Sequence, residues 1–122
     1  MRILIIDDSK TARIQLRKAL QDAGYDVLEA GTADEALEIL LKTEPIDLVL
    51  TDQNMPEKTG IEMLQELRSA KGGPNCDVKV IFLSSDSTLE IRSAAKQLGA
   101  KGFISKPIRM SQVIEAIKKL GI

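Results

Sequence analysis

Short aliphatic, β-branched runs alternate five times with stretches of helical periodicity along the 122-residue chain, and this alternation limits the folds open to it. Strands are predicted at residues 3–6, Asp26–Ala30, 47–51, 78–83 and Gly102–Ser105. The first helix is predicted over residues 9–23, with Ala12, Leu16, Ala19, Leu20 and Ala23 on one face and Gly24 as its stop. Thr32 and Glu35 have capping-box spacing, ahead of an inner face of Ala33, Ala36, Leu37 and Leu40. A loop from Met55-Pro56 to Gly60 leads into a helix bearing Ile61, Leu64 and Leu67, and Gly72-Gly73-Pro74-Asn75 reads as a turn. Ser87 and Glu90 repeat the capping-box spacing before a helix stopped by Gly99, and the last helix carries Met110, Val113, Ile114, Ile117 and Leu120.

Continuous apolar strands separated by helices imply a parallel sheet covered on both faces. Five strands are too few for an eight-stranded barrel, so the expected fold is α/β: a five-stranded parallel doubly wound sheet with five helices, flavodoxin-like, in one domain over residues 1–122. Such sheets bind ligands at the carboxyl ends of their strands.

Several chemistries are excluded. The chain contains no histidine, which removes Ser-His-Asp triads and imidazole general-base catalysis. Lys plus Arg (17) nearly balances Asp plus Glu (18), so bulk charge directs the chain to neither nucleic acid nor anionic lipid. Its apolar runs are too short for membrane insertion, and the single cysteine fits a reducing, cytoplasmic setting.

The predicted strand ends carry what chemistry remains. Strand one runs into Asp7-Asp8, strand three into Asp52, strand four into Ser84-Ser85 and strand five into Lys106-Pro107. Taken singly, these are helix caps, turn residues and a solvated charge. Taken together, three carboxylates on one rim repel one another and call for a hard divalent cation. Mg²⁺ fits, with Mn²⁺ as the alternative. Asp52, alone at the end of strand three, is the candidate nucleophile for a phosphoryl group. Asp7 and Asp8 would hold the metal, Lys106 would offset phosphoryl charge, and Ser84 would donate a hydrogen bond to the transferred group.

These residues in this order resemble the receiver domains of two-component response regulators, across essentially the whole chain. The resemblance rests on Asp7-Asp8, on Asp52 within Thr-Asp-Gln-Asn-Met-Pro, on Ser84 and on Lys106-Pro107. It implies that Asp52 is the phosphoacceptor. Asp8, Asp52 and the backbone carbonyl of Asn54 would ligate Mg²⁺, and Asp7 would act through water. Lys106 would contact the phosphoryl group through a loop whose Lys106-Pro107 bond is cis, while Ser84 and Phe103 would be the switch residues. Asp-Asp-Ser-Lys-Thr-Ala-Arg is most similar to stand-alone CheY-like chemotaxis regulators, although Phe103 lacks the hydroxyl of the tyrosine common there. Asn54 and Asp86 fall where the family tunes dephosphorylation.

The resemblance implies a histidine kinase or histidine phosphotransfer protein upstream and an output protein downstream. It implies no direct nucleic-acid contact and either a monomer or a weak phosphorylation-linked dimer. The face formed by the fourth helix, fifth strand and fifth helix would be switched for the output partner. Ile14, off the inner face of the first helix, is a candidate contact for the phosphodonor.

Other readings compete. A receiver excised from a larger, for example DNA-binding, regulator would look much the same. A Mg²⁺-dependent phosphohydrolase of haloacid-dehalogenase type wants a second Asp where Asn54 stands. A flavodoxin-like cofactor carrier lacks a phosphate loop after strand one. A degenerate receiver is at odds with the full set of acidic positions. No turnover of an external substrate is expected.

Overall fold

The computed structural model describes residues 1–42, 45–70 and 73–121. Strands and helices alternate strictly: β1 (Arg2–Ile6), α1 (Lys10–Asp22), β2 (Asp26–Ala30), α2 (Ala33–Lys42), β3 (Leu48–Thr51), α3 (Gly60–Ser69), β4 (Lys79–Ser84), α4 (Leu89–Gln97), β5 (Gly102–Ser105) and α5 (Met110–Lys119). The strands form one parallel sheet in the order β2-β1-β3-β4-β5. The chain leaves β1 in one direction to form β2 and crosses to its other side for β3, so the topological switch lies between β1 and β3.

Side-chain alternation along the strands divides the core in two. Ile3 and Ile5 pack with Leu16 and Leu20 of α1 and with Val113 and Ile117 of α5. Leu4 and Ile6 point the other way, into a layer with Leu37 and Leu40 of α2, Met63, Leu64 and Leu67 of α3, and Ala95 of α4. The fold is therefore the doubly wound sheet that the alternation implied.

The corrections are local. β1 begins at Arg2, β3 at Leu48 and β4 at Lys79, each a residue from the expected start. Ala23 is exposed because it follows the last turn of α1, where Gly24 takes φ 93°. α4 is capped by Thr88, whose Oγ1 accepts from the Ile91 N–H at 3.4 Å, so Ser87 lies outside the helix. Glu35 reaches back to the Gly31 N–H (3.4 Å), while Thr32 accepts from Glu35 N (3.1 Å). Thr59 and Glu62 form a complete capping box at α3 that the sequence reading passed over. Gly72 of the expected turn lies outside the described residues; Gly73 and Asn75 do turn, with Asn75 O accepting from Val78 N at 3.1 Å.

Asn75 does more than turn. Its buried amide donates to Leu40 O at 2.8 Å and accepts from the Ile46 N–H at 2.7 Å, tying the end of α2 to the approach to β3. Asn75→Ala leaves both backbone groups unpaired, so a loss of about 2–4 kcal/mol is expected. Urea unfolding checks this: the midpoint should fall at an unchanged slope, and an unmoved midpoint would contradict the clamp.

Candidate functional site

Parallel strands bring their carboxyl ends to one rim, and on this rim the chain concentrates its charge. The Asp7 N–H donates to Ala30 O at 3.2 Å, carrying the β1–β2 ladder one residue past Ile6. The turn into α1 then holds one Asp7 oxygen: Oδ1 accepts from the Ser9 N–H at 2.9 Å, while Ser9 Oγ accepts from Ala12 N at 3.2 Å. Asp52 is placed by its own N–H, which donates to Ile6 O at 2.9 Å, and by Thr51 Oγ1, which donates to Asp52 O at 2.9 Å. Its Oδ1 accepts from Gln53 N at 2.7 Å and lies 3.4 Å from Asn54 N.

Lys106 closes the arrangement from β5. Its backbone N–H donates to Ser84 O at 2.9 Å, and the Lys106-Pro107 peptide is cis, as the resemblance implied. The ammonium donates to Asp52 Oδ2 at 3.0 Å and to Asp7 Oδ2 at 3.2 Å. Residues 99 and 54 positions apart in the chain thus converge on one cation.

Asp7 and Asp52 are 4% and 7% exposed, whereas Asp8 is open to solvent. One oxygen from each of the three lies within 4.8 Å of the others. Partial burial pulls the Lys106 pKa down, but hydrogen bonding and charge attraction from Asp52 and Asp7 outweigh it, and the ammonium is held above the ordinary lysine range. One ammonium against three carboxylates leaves the rim anionic. Hard oxygen donors at this spacing, with spare negative charge, suit Mg²⁺, which takes a few carboxylates and completes its shell with water or phosphate oxygens.

Asp7, Asp8, Asp52 and Lys106 therefore come together as expected. Ser84 ends β4 fully buried, in register with Ser105, and its Oγ accepts from Asp86 N at 3.1 Å. Asn54 is exposed just beyond Asp52. Phe103 belongs to a different surface: half-buried on β5, it stacks on Phe82 with ring centroids 5.9 Å apart. The Arg92 guanidinium sits 5.8 Å above its centre, beside a cleft of about 300 Å³ edged by Lys96 and Lys101. Ile14 is half-buried in a separate cleft among Lys10, Arg13 and Arg17.

Sequence reasoning missed the supports. Gln53 is 4% exposed; its Oε1 accepts from Ile61 N at 2.8 Å and its backbone carbonyl from Gly60 N at 3.0 Å, binding the Asp52 loop to the start of α3. Arg13 Nη1 donates to the carbonyl of Asp7 at 2.6 Å. Neither contact follows from residue spacing. The Thr-x-x-Glu of Thr59 and Glu62 was the one signal available and overlooked.

Comparison with known proteins identifies the family. Residues 3–118 match the model of the response regulator receiver domain. The chemotaxis protein CheY of Thermotoga maritima is 38% identical over 121 residues, covering 98% of this chain and 97% of that protein. A CheY-like receiver domain from Methanospirillum hungatei superposes with TM-score 0.88 at 29% identity, covering 98% of this chain and 91% of that one. The response regulator TrrA of Thermotoga maritima, solved in complex with Mg²⁺-BeF, superposes with TM-score 0.82 at 33% identity, covering 98% and 97%. Other relatives are far longer: the chain spans 17% of the sensory/regulatory protein RpfC of Xanthomonas campestris, to which it is 32% identical along its whole length. With residues 3–118 matched by the family model and the same fold in solved receivers, the chain belongs to the response regulator receiver domain family of two-component systems, and is CheY-like.

Proposed function

We propose that residues 1–122 form a single cytoplasmic receiver domain that accepts a phosphoryl group on Asp52 from a histidine kinase or histidine phosphotransfer protein. The observation that carries this reading is the Lys106 ammonium, bonded to Asp52 at 3.0 Å and to Asp7 at 3.2 Å within a rim of three carboxylates. An oxygen lone pair of Asp52 forms the new bond to phosphorus. The phosphorus–nitrogen bond of the donor phosphohistidine breaks, and the imidazole leaves with the electron pair. Asp7, Asp8, Asp52 and the Asn54 carbonyl would hold Mg²⁺ (or Mn²⁺), which supplies charge neutralisation of the phosphoryl oxygens when bound. Lys106 turns its ammonium to the same oxygens, and the Ser84 hydroxyl donates to one of them.

Receiver domains are signalling modules, so the outcome is a change of shape and not a released product. Drawing in Ser84 and Lys106 re-forms the loops after β4 and β5 and shifts Phe103. The α4–β5–α5 face then presents a different surface to its output partner. The likeness to CheY makes chemotaxis the first pathway to test. The match to one part of the longer RpfC supports a second reading, in which the same module works inside a larger regulator.

Borohydride reduction of the phosphorylated chain tests the acceptor, since it converts an aspartyl phosphate to homoserine. Homoserine at position 52 is expected; homoserine at another Asp would overturn the assignment. Ser84→Ala is expected to accept phosphate while losing the beryllofluoride-induced NMR shift of the Phe103 ring. A full shift in that variant would refute the switch.

A further inference from the structure

Beyond Ile6 the Asp7 carbonyl has left the β1–β2 ladder, yet this peptide must set the direction of both Asp7 and Asp8. Its partner is Arg13, on the side of α1 turned toward β2. Nη1 donates to Asp7 O at 2.6 Å and Nε to Glu29 Oε1 at 3.3 Å. Glu29 is itself held from its other oxygen by Arg17. The guanidinium lies along the backbone of Gly31, where a Cβ would come within 3.2 Å of Nη1. Arg13 is thus a two-headed strut: one end grips the turn carrying the carboxylates, the other is braced against β2. Its side chain is only 18% exposed, so the bond to Asp7 is partly shielded from competing water.

We infer that Arg13 is a positioning residue for the metal site, fixing the Asp7 peptide so that Asp7 and Asp8 converge with Asp52. The inference rests on the proposed Mg²⁺ reading. It also has a sign of its own. A guanidinium beside a cation site repels the cation, so deleting it by charge alone would tighten Mg²⁺ binding. Deleting a strut loosens the ligands and weakens binding, as supports behind metal ligands commonly do.

Mg²⁺ titrations of the full chain, followed by the amide NMR shifts of Asp7, Asp8 and Asp52, decide between these. Arg13→Ala is expected to weaken Mg²⁺ binding about tenfold. Arg13→Lys, which keeps the charge but not the fork, should also weaken it. Arg17→Ala, which loses a Glu29 partner but no contact with Asp7, should leave affinity unchanged. The maximal rate of phosphorylation by acetyl phosphate should return to the unmutated value at saturating Mg²⁺ in Arg13→Ala, separating lost affinity from lost chemistry. Should Arg13→Ala fail to fold by circular dichroism, Arg13→Lys carries the same decision, because with charge conserved any loss of affinity is geometric. Unchanged or tighter binding in the folded Arg13 variants overturns the inference, as does equal weakening in Arg17→Ala. An unmutated chain that binds no Mg²⁺ overturns the metal reading itself, and Arg13's role falls with it.

Discussion

Lys106→Met is expected to slow phosphoryl acceptance at Asp52 about a hundredfold or more, the usual cost of removing a fixed positive group aimed at developing charge. The same change leaves Asp7 and Asp52, 4% and 7% exposed, without the ammonium they share. Breaking a fully buried pair costs about 3–5 kcal/mol. Here the Lys106 side chain is 28% exposed and water can relieve part of that, so about 2 kcal/mol is expected in the metal-free chain. Mg²⁺ should restore much of this stability, because it neutralises the same carboxylates, while the rate stays low. The pH dependence follows from the raised Lys106 pKa. A group whose pKa rises on folding stabilises fully below its unfolded value and loses that contribution as pH climbs through the folded one. The Lys106 contribution should therefore hold across about pH 6 to 9 and fade only above the ordinary lysine range. Urea unfolding with and without Mg²⁺ and across this pH range, beside mass-resolved phosphorylation kinetics, checks these outcomes. A rate within a few-fold of the unmutated chain would contradict the role given to Lys106.

Gly60→Ala is expected to damage the site from behind. A Cβ at this position would lie 2.4 Å from the Asp52 carbonyl oxygen and 2.9 Å from Phe82 Cε2. The conflict is one of space and not of backbone conformation, since Gly60 is not among the glycines with positive φ. Neither neighbour yields easily. The Asp52 carbonyl also accepts from Thr51 Oγ1, Phe82 is fully buried, and Gly60 itself is tethered to Gln53 O at 3.0 Å. The methyl group must push the Asp52 peptide, and displacing a reacting group by about 1 Å costs about a hundredfold in rate. Overpacking should also remove about 1–3 kcal/mol of stability. Parallel rate and unfolding measurements test this, and a Gly60→Ala chain with ordinary rate and stability would show that the loop has slack the distances deny.

What the sequence disclosed and what it hid divide along one physical line. The edge strands β2 and β5 were placed to the residue, because a charge or a glycine marks each end of these short runs, whereas the starts of the more buried β1, β3 and β4 were each missed by one residue. The rim was equally legible, since the fold class says where strand ends meet and Asp7, Asp8, Asp52 and Lys106 occupy those ends. The unequal burial of Asp7 and Asp8 was not legible, because adjacent residues look alike until the turn at Ser9 points one inward. Arg13 and Gln53 were hidden for a similar reason: each joins a side chain to a backbone group six or eight residues away, outside its own element, a bond with no periodicity to announce it. Thr88 in place of Ser87 shows the ordinary limit of cap reading, where neighbouring hydroxyls compete and tertiary packing of α4 selects the register. Gly60 looked like a loop ending; its role as a spacer for Asp52 depends on a contact between two segments that only the fold brings together.

The most direct test of the account is the intact mass of the chain after incubation with acetyl phosphate and Mg²⁺, beside an EDTA control and the Asp52→Asn variant. One added phosphoryl group, absent from both controls, is the predicted result. An adduct that survives either EDTA or the loss of Asp52 would contradict it.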